Sequence, residues 1–392
     1  MARFARILCV VLFALTACSP EEDTAPPPLN DDTPSSFEDV TSNIDLLGAE
    51  PIFMRSFADG VQMATGPAGA VMLAWSQGAA TSAVLLDGGA WAPLDDLFDV
   101  AVNSYAIDAT GAPVAIMRER NDSGFTQALN AVRWDGTGWQ PLGNPMTDLF
   151  GPVDIEETPP ALVLAGPTLV AVFNGRDLTN GEGGLFAVAL QGEQWQPLGN
   201  GPLHDETVFD DFELVVSPDG DLAVVVIPTV DNPNTVLAYR WDGAVWQAQP
   251  TYRTVSDEGG FSFIIDAVVN ADEIVVLFVS GVGSPQMIRL RAGSWGRVGL
   301  MDDLIDLVTE TDGDPLAMTA VVPFEANVIS NRDGSLVTMR GDNVLDLPVD
   351  GSPIQASTGG DGAVYVLSIP GGNISTENRS ALIFRFALPP GR

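Results

Sequence analysis

The chain has 392 residues, 46% of them hydrophobic, and a formal net charge of −35 from 52 acidic and 17 basic residues. So strong a negative charge repels nucleic acids, which excludes them as partners. The chain has one histidine, His204, and both cysteines lie within the first eighteen residues, which excludes a disulfide-stabilised fold and a multi-histidine metal centre in the folded part.

The first eighteen residues have the pattern of an export signal. Arg3 and Arg6 precede an apolar run, residues 7–15, that is too short to span a bilayer stably. The next residues, Leu15-Thr16-Ala17-Cys18, resemble the lipobox that lipoprotein signal peptidase cleaves. The resemblance implies that residues 1–17 are removed and that Cys18 carries the lipid anchoring the protein to a membrane. Cleavage of an ordinary secretory signal near Ala17 is the alternative.

The residues after the cysteine suggest an address and a tether. Ser19 stands where Gram-negative lipoproteins kept at the inner membrane usually carry aspartate, so the resemblance favours the outer membrane or cell surface of a Gram-negative bacterium. Residues 18–40 are rich in Pro, Ser, Thr and acids, and they cannot bury enough apolar surface to offset the entropy of ordering. We expect a disordered tether there, followed by a folded domain over residues 41–392.

A tryptophan motif recurs about every fifty residues through this domain. Its fullest copy is Arg133-Trp134-Asp135-Gly136-Thr137-Gly138-Trp139, and weaker copies place Ile44 and Val344 in the slot of the last tryptophan. We expect the tryptophans of this slot to pack between repeats rather than to form a sugar-stacking platform. The residues in the slot are Trp91, Trp139, Trp195, Trp246 and Trp295. The tryptophans outside it are weak candidates for ligand contact: Trp75, Trp134 and Trp241.

Each period contains four short β-rich runs. In one period they are Phe212–Ser217, Leu222–Pro228, Val236–Trp241 and Trp246–Gln249, separated by turn residues. Four antiparallel strands per period predict an all-β fold, a β-propeller. Seven runs of the third-strand type predict seven blades, with six as the alternative if residues 307–333 are not the first half of a blade. The last run lacks a fourth strand, so residues 43–48 are predicted to complete the last blade and close the ring.

The repeat resembles kelch-type and related bacterial propeller repeats, in which a tryptophan opens the fourth strand and leucine follows three residues later. Trp91 to Leu94, Trp139 to Leu142 and Trp195 to Leu198 keep that spacing. Kelch repeats also carry a Gly-Gly pair after the second strand, and here Gly371-Gly372 alone has that place. The resemblance implies a fold and no particular activity, because propellers host unrelated functions.

Binding residues are expected on one face of the propeller. First-to-second and third-to-fourth connections share a face and are short here, whereas the other face holds long, variable segments. These are Arg118–Gln127, Asn174–Gly184, Pro228–Thr235 and Pro370–Ser380. Acidic pairs recur in the crossings to the next blade, which we also place on this long-loop face: Asp95, Asp96, Asp210, Asp211, Asp302 and Asp303. Their carboxylates could bind Ca²⁺ or act as acid and base on a glycoside, while a solvated acidic rim is the plainer interpretation.

No catalytic constellation and no organic cofactor can be recognised. We interpret His204 as a solvated loop residue, and Ser217-Pro218-Asp219-Gly220, which resembles part of a sialidase Asp box, as a hairpin turn. The sequence therefore predicts a non-catalytic binding module for a protein or glycan partner. An extracellular carbohydrate-active enzyme with carboxylates at the propeller mouth is the alternative.

Overall fold

A series of antiparallel hairpins accounts for the domain in the computed structural model. The structure describes residues 44–46, 52–54, 61–77, 80–87, 89–95, 97–98, 101–120, 126–144, 159–176, 183–204, 209–217, 219–228, 235–253, 263–270, 272–279, 285–297, 317–321, 325–332, 335–340, 343–350, 352–358, 363–369 and 379–386. The predicted signal, Cys18 and the predicted tether lie outside these residues. Within the described part, no helix is long and apolar enough to cross a membrane.

The described strands form seven antiparallel sheets, within which consecutive strands are neighbours. Two short strands come first, β1 (Ile44–Leu46) and β2 (Ile52–Met54). The first sheet contains β3 (Val61–Thr65), β4 (Val71–Gln77), β5 (Ala80–Asp87), β6 (Ala90–Pro93) and the short β7 (Leu97–Phe98), with a 3-10 turn at Pro67–Gly69. The second contains β8 (Ala101–Ile107), β9 (Pro113–Arg120), β10 (Thr126–Trp134) and β11 (Trp139–Pro141).

The middle of the chain forms the next three sheets. The third contains β12 (Ala161–Ala165), β13 (Thr168–Arg176), β14 (Gly183–Gln191) and β15 (Gln194–Pro197). The fourth contains β16 (Phe209–Val216), β17 (Leu222–Pro228), β18 (Thr235–Trp241), β19 (Trp246–Ala248) and the short β20 (Tyr252–Arg253). The fifth contains β21 (Phe263–Val269), β22 (Glu273–Val279), β23 (Pro285–Arg291) and β24 (Ser294–Arg297).

The C-terminal part forms the last two sheets. The sixth contains β25 (Ala317–Val321), β26 (Glu325–Arg332), β27 (Ser335–Arg340) and β28 (Asn343–Asp350). Strands β25 and β26 pair directly within the stretch 307–333. The seventh contains β29 (Ser352–Thr358), β30 (Val364–Ile369) and β31 (Arg379–Phe386), to which β1 and β2 add. Strand β1 pairs with β31 from Ile44 opposite Phe386 to Leu46 opposite Phe384, so residues near the N-terminus form an outer strand of this sheet.

The core lies between neighbouring sheets. Strand β17 is buried along its whole length, from Leu222 to Pro228, because both faces of its sheet are covered. An uninterrupted apolar run is what a strand covered on both sides requires. The first strands of the seven sheets contact one another in chain order, and β29 contacts β3. The first and seventh sheets share one buried cluster that includes Leu73, Tyr365 and Leu367.

The repeated tryptophans join neighbouring sheets through hydrogen bonds. Each indole Nε1 donates to a main-chain carbonyl that follows the fourth strand of the preceding sheet. The pairs are Trp139 to Asp95 (2.8 Å), Trp195 to Leu142 (2.9 Å), Trp246 to Leu198 (2.8 Å) and Trp295 to Pro250. These contacts confirm, for these four residues, that the tryptophans pack between repeats. We call this arrangement the tryptophan joint.

The remaining tryptophans are also packed. Trp75 is 7% exposed and belongs to the cluster between the first and seventh sheets. Trp134 lies across the hairpin from Trp139, with ring centroids 5.6 Å apart, and Trp241 lies 5.4 Å from Trp246 in the same way. All three side chains therefore contribute to the fold through these contacts.

A second kind of joint links the first strands of neighbouring sheets. Strands β8, β16 and β29 each contain a register shift, after which a polar side chain accepts a hydrogen bond from a main-chain N–H of the next sheet. The pairs are Ser104 Oγ with Leu162 N (2.8 Å), Asp211 Oδ2 with Ile264 N (2.9 Å) and Gln355 Oε1 with Met63 N (2.6 Å). A β-bulge turns a side chain away from its regular direction, and here the turned group holds the adjacent sheet. We call these contacts bulge clamps.

Candidate functional site

The acidic residues singled out in the sequence do not occupy equivalent places. Asp95 is exposed and follows β6, the outer strand of the first sheet, whereas Asp211 lies in β16, the first strand of the fourth sheet. The structure therefore does not bring these two side chains together. The placement of Asp210 and Asp211 in a crossing loop is wrong, because both residues belong to β16. The side chains of four candidates lie outside the described part of the chain: Asp96, Asp210, Asp302 and Asp303.

Asp211 belongs instead to a group of three carboxyls between the fourth and fifth sheets. Glu213 is two residues further along β16 and lies beside Asp266 of β21, with which its carboxyl forms a hydrogen bond. Burial, and then the negative charges of Asp266 and Asp211, raise the pKa of Glu213 well above its ordinary value. Asp266 Oδ1 also accepts the N–H of Ala267 at 2.8 Å.

This carboxyl group does not match the geometry of the predicted chemistry. The paired carboxyls of glycosidases stand about 5–9.5 Å apart, which leaves room for the sugar or a water, and a direct hydrogen bond is shorter than that. Within the described residues, no three His, Cys, Asp or Glu side chains are arranged to hold a metal ion. The described contacts of Asp211 and Glu213 thus serve the junction between two sheets.

His204 is held in place and is not a solvated loop side chain, so that interpretation was wrong. Its main chain forms a bridge with Leu185 of β14, with Leu185 N donating to His204 O at 3.0 Å. Its Nδ1 lies 2.8 Å from the hydroxyl of Tyr239, in the fourth sheet. His204 therefore fastens the crossing between the third and fourth sheets.

The turn that resembles part of an Asp box is a hairpin turn, as predicted. Gly220 N donates to Ser217 O at 2.9 Å, and Ser217 Oγ accepts the N–H of Asp221 at 2.9 Å. Gly220 has a φ of +90°, which favours glycine. These contacts close the connection between β16 and β17.

A cavity of about 350 Å³ opens between the fourth and fifth sheets. Its lining is mostly polar and charged: Arg240, Gln249, Asp272, Leu290, Arg291, Ala292 and Gly293. Asp272 belongs to the β21–β22 connection, and Ala292 and Gly293 form the β23–β24 turn. The cavity, which we call the arginine cleft, is therefore on the face of the short connections. The long-loop face was expected to hold the site, but most of those loop residues lie outside the described ranges.

Arg240 is the most enclosed cation of the arginine cleft. It is half-buried on β18, and its Nη1 donates to the carbonyl of Asn270 in the fifth sheet at 2.5 Å. Burial lowers the pKa of its guanidinium, while the negative charges of Asp221 and Asp272 act in the opposite direction. A guanidinium remains charged in proteins, so the cleft holds a cation that is partly removed from water.

Arg133, at the same repeat position in the second sheet, is neutralised within its own sheet. Its Nε donates to Asp108 Oδ2 at 2.6 Å. Burial would raise the pKa of Asp108, but hydrogen bonds from Thr110, Arg133 and Ala112 hold it below its ordinary value. At the same repeat position, Arg133 thus forms an ion pair within the second sheet, whereas Arg240 of the fourth sheet donates to a neutral carbonyl of the fifth sheet.

Two other cleft residues depart from the repeat. Three residues after the repeated tryptophan, the first three sheets carry Leu94, Leu142 and Leu198, whereas the fourth carries Gln249. Four residues before the tryptophan, the fifth sheet carries Arg291, where the earlier copies carry an acid or an amide: Asp87, Asp135, Gln191 and Asp242. A position-by-position comparison of the repeat copies reveals these two departures, so it could have located the cleft from the sequence.

Together the fold and the cleft define the class: a β-propeller protein with a charged cleft between two of its sheets. No family model matches the sequence, and no curated protein matches it. Among solved structures, the chain is similar to Ycf48 bound to a D1 peptide, with 12% identity and a TM-score of 0.52 over 87% of this chain and 95% of that one.

Two further solved structures are similar to the chain. A puromycin hydrolase S511A mutant complexed with PGG aligns at 13% identity and a TM-score of 0.50, over 81% of this chain and 51% of that one. The fucose-specific lectin of Aleuria aurantia aligns at 13% identity and a TM-score of 0.45, over 75% and 96%. Together with the sheets described above, the first two likenesses confirm the β-propeller fold, and at such identities they show the fold alone.

Proposed function

We propose that this protein is a lipid-anchored β-propeller of the cell envelope that acts as a non-catalytic binding module for a protein or glycan partner. The observation that carries the binding role is the arginine cleft, where a half-buried guanidinium, an exposed one and an amide side chain line one cavity on a rigid scaffold. Concave sites with a few convergent polar groups are where proteins usually bind ligands. Ycf48 bound to a D1 peptide supports the idea that a propeller of similar shape can take a peptide segment.

The proposed scaffold is a closed ring of seven blades, one for each sheet. Three observations support it: the contacts of the first strands in chain order, the contact between β29 and β3, and the pairing of β1 with β31. A last sheet shared between strands from the two ends of the chain would hold the first and last blades together and leave only the short outer edges of the blades.

The proposed anchor is a lipid on Cys18, supported by the lipobox-like residues before it. We expect the full-length protein to fractionate with membranes, in the outer membrane or at the cell surface, and to release a lipid-modified N-terminal peptide on digestion and mass spectrometry. A Cys18→Ser protein that still fractionates with membranes would contradict the anchor and leave the binding role untouched.

The binding role is tested by a thermal-shift titration of the full chain against peptides and glycans, with Ca²⁺ as a separate arm. A ligand that binds the native state raises the apparent Tm by mass action. We expect a shift with at least one peptide or glycan, and the same compound recovered unchanged by chromatography. Recovery of a cleaved product would favour the enzyme alternative. A shift with Ca²⁺ alone, lost on Asp→Asn changes at the candidate aspartates, would instead support the cation site predicted from the sequence.

A further inference from the structure

We infer that the arginine cleft is a carboxylate site that recognises an acidic peptide segment. The inference rests on the proposed binding function and names its ligand. Arg240 and Arg291 line the same cavity from two neighbouring sheets, together with the amide of Gln249. A planar guanidinium offers paired N–H donors whose spacing fits the two oxygens of a carboxylate.

The main chain fixes the position of Arg291 at the edge of the cleft. Arg291 pairs with Ser294 in the β23–β24 hairpin and with Glu273 on the other side. The hairpin turn at Ala292 and Gly293 has φ values of +50° and +75°, as two-residue hairpin turns require. The Arg291 side chain is exposed, so a fixed backbone presents a cation to solvent at the edge of the cavity.

The surrounding charge makes this cation pair distinctive. The chain carries 52 acidic and 17 basic residues, so most of its surface repels acidic ligands. The repeat position occupied by Arg291 carries acids or amides in the earlier copies, and the position of Gln249 carries leucine in them. Two arginines and an amide therefore line one cavity at the junction of the fourth and fifth sheets.

The lining also selects among anions. Asp272 lines the cleft and repels a dianion more strongly than a monoanion, which favours a carboxylate over a phosphate. No aromatic side chain is among the described lining residues, so the cleft offers no ring on which a sugar could stack. Leu290 and Ala292 offer apolar wall to the methylene groups of an acidic side chain. The volume, about 350 Å³, is near the lower end for ligand pockets and suits one or two residues of a peptide.

The experiment uses fluorescence anisotropy of the full chain with a labelled, amidated hexapeptide of glutamate and serine, and with its glutamine counterpart, at about 0.15 M salt to screen the general repulsion. We expect the glutamate peptide alone to bind. Arg291→Gln should raise Kd about tenfold, because a hydrogen bond to a charged group is lost. Asp272→Asn should lower Kd several-fold, because a like charge is removed from the cleft.

The matched control is Arg253→Gln, which removes an exposed arginine of β20 that does not line the cleft and should leave Kd unchanged. Equal binding of both peptides, or a Kd unmoved by Arg291→Gln, would overturn the inference. The inference would also be overturned if inorganic phosphate or an oligouronate bound at Arg291 and the acidic peptide did not. In those cases a thermal shift with any other peptide or glycan would still support the proposed binding function. The absence of a shift with every compound would overturn both the binding function and the inference about the cleft.

Discussion

The junction between the third and fourth sheets and the junction between the fourth and fifth differ in the residues around the same joint. In both, a tryptophan indole donates to a carbonyl of the preceding sheet: Trp246 to Leu198 and Trp295 to Pro250. At the first junction Leu198 packs against an apolar cluster, and the carboxylate of Asp242 accepts N–H groups of its own turn. At the second, Gln249 and Arg291 hold the corresponding positions and line a cavity.

This difference shows how a repeat protein can acquire a binding site without losing its fold. The joint requires an indole N–H and a carbonyl, which are the same at both junctions. The side chains three residues after and four residues before the tryptophan take no part in that hydrogen bond, because its acceptor is a main-chain carbonyl, so these side chains are free to vary. Substitutions in the joint should therefore cost stability, and substitutions at the varying positions should change binding with little cost.

The largest effect is expected for Trp195→Ala. Trp195 is 2% exposed, packs in the cluster between the second and third sheets and donates to Leu142 O. Removing a buried tryptophan costs about 3–5 kcal/mol, because contacts are lost and a cavity remains. Urea unfolding of the full chain measures the change as a lower midpoint. Trp295→Ala, at a more exposed copy of the joint, should cost less, and an equal cost at both sites would contradict this ranking.

A smaller loss is expected from the bulge clamps. Asp211→Ala leaves the N–H of Ile264 without its acceptor in the sheet interface, at a cost of about 1–3 kcal/mol in the free energy of unfolding. Asp211→Asn keeps an acceptor oxygen and removes a negative charge near Glu213, so it should be close to neutral. Ser104→Ala is the matched change at the clamp to Leu162. If Asn proved as costly as Ala, the charge of Asp211 would matter in itself.

Glu213→Gln should stabilise the protein, and the gain should depend on pH. Burial and the charges of Asp266 and Asp211 raise the pKa of Glu213 in the folded state. Below the unfolded pKa of about 4.3 the group is protonated in both states and carries no penalty. As pH rises above that value, the unfolded state loses its proton first, so stability falls until the folded pKa is passed.

The measurement is the Tm of wild type and Glu213→Gln from pH 4 to pH 8. The difference between them should be small at pH 4 and should widen with rising pH, because glutamine has no proton to lose. A difference that stays constant over this range would show that Glu213 does not titrate with a raised pKa. Asp219→Asn, which removes a carboxyl at an exposed turn position, is the control substitution.

The sequence predicted the parts of the structure that repeat. The period of the tryptophans predicted the four-stranded sheets and the packing of the tryptophans. The spare segment near Ile44 was predicted to be an outer strand, and it pairs with β31. The contact of Glu213 with Asp266 could not be predicted, because it depends on two bulges and on which sheets are neighbours. Asp95 and Asp211 were grouped because their short stretches of sequence resemble each other, but they lie at different distances from the repeated tryptophan, so the fold places them in different elements.

The smallest effect on stability, and the sharpest test of the comparison, is expected from Gln249→Leu. This change gives the fourth sheet the leucine that the first three sheets carry three residues after the tryptophan. The main-chain bond from residue 249 to Ala238 O is kept, while the side-chain bond to Gln247 O is lost. At a half-buried position the loss of this side-chain hydrogen bond and the gain in buried apolar surface nearly cancel, so we expect the free energy of unfolding to change by less than about 1 kcal/mol. The reverse change, Leu198→Gln, should be destabilising, because it places an amide against an apolar cluster. If Gln249→Leu were as damaging as Leu198→Gln, the glutamine would be part of the joint rather than of the cleft.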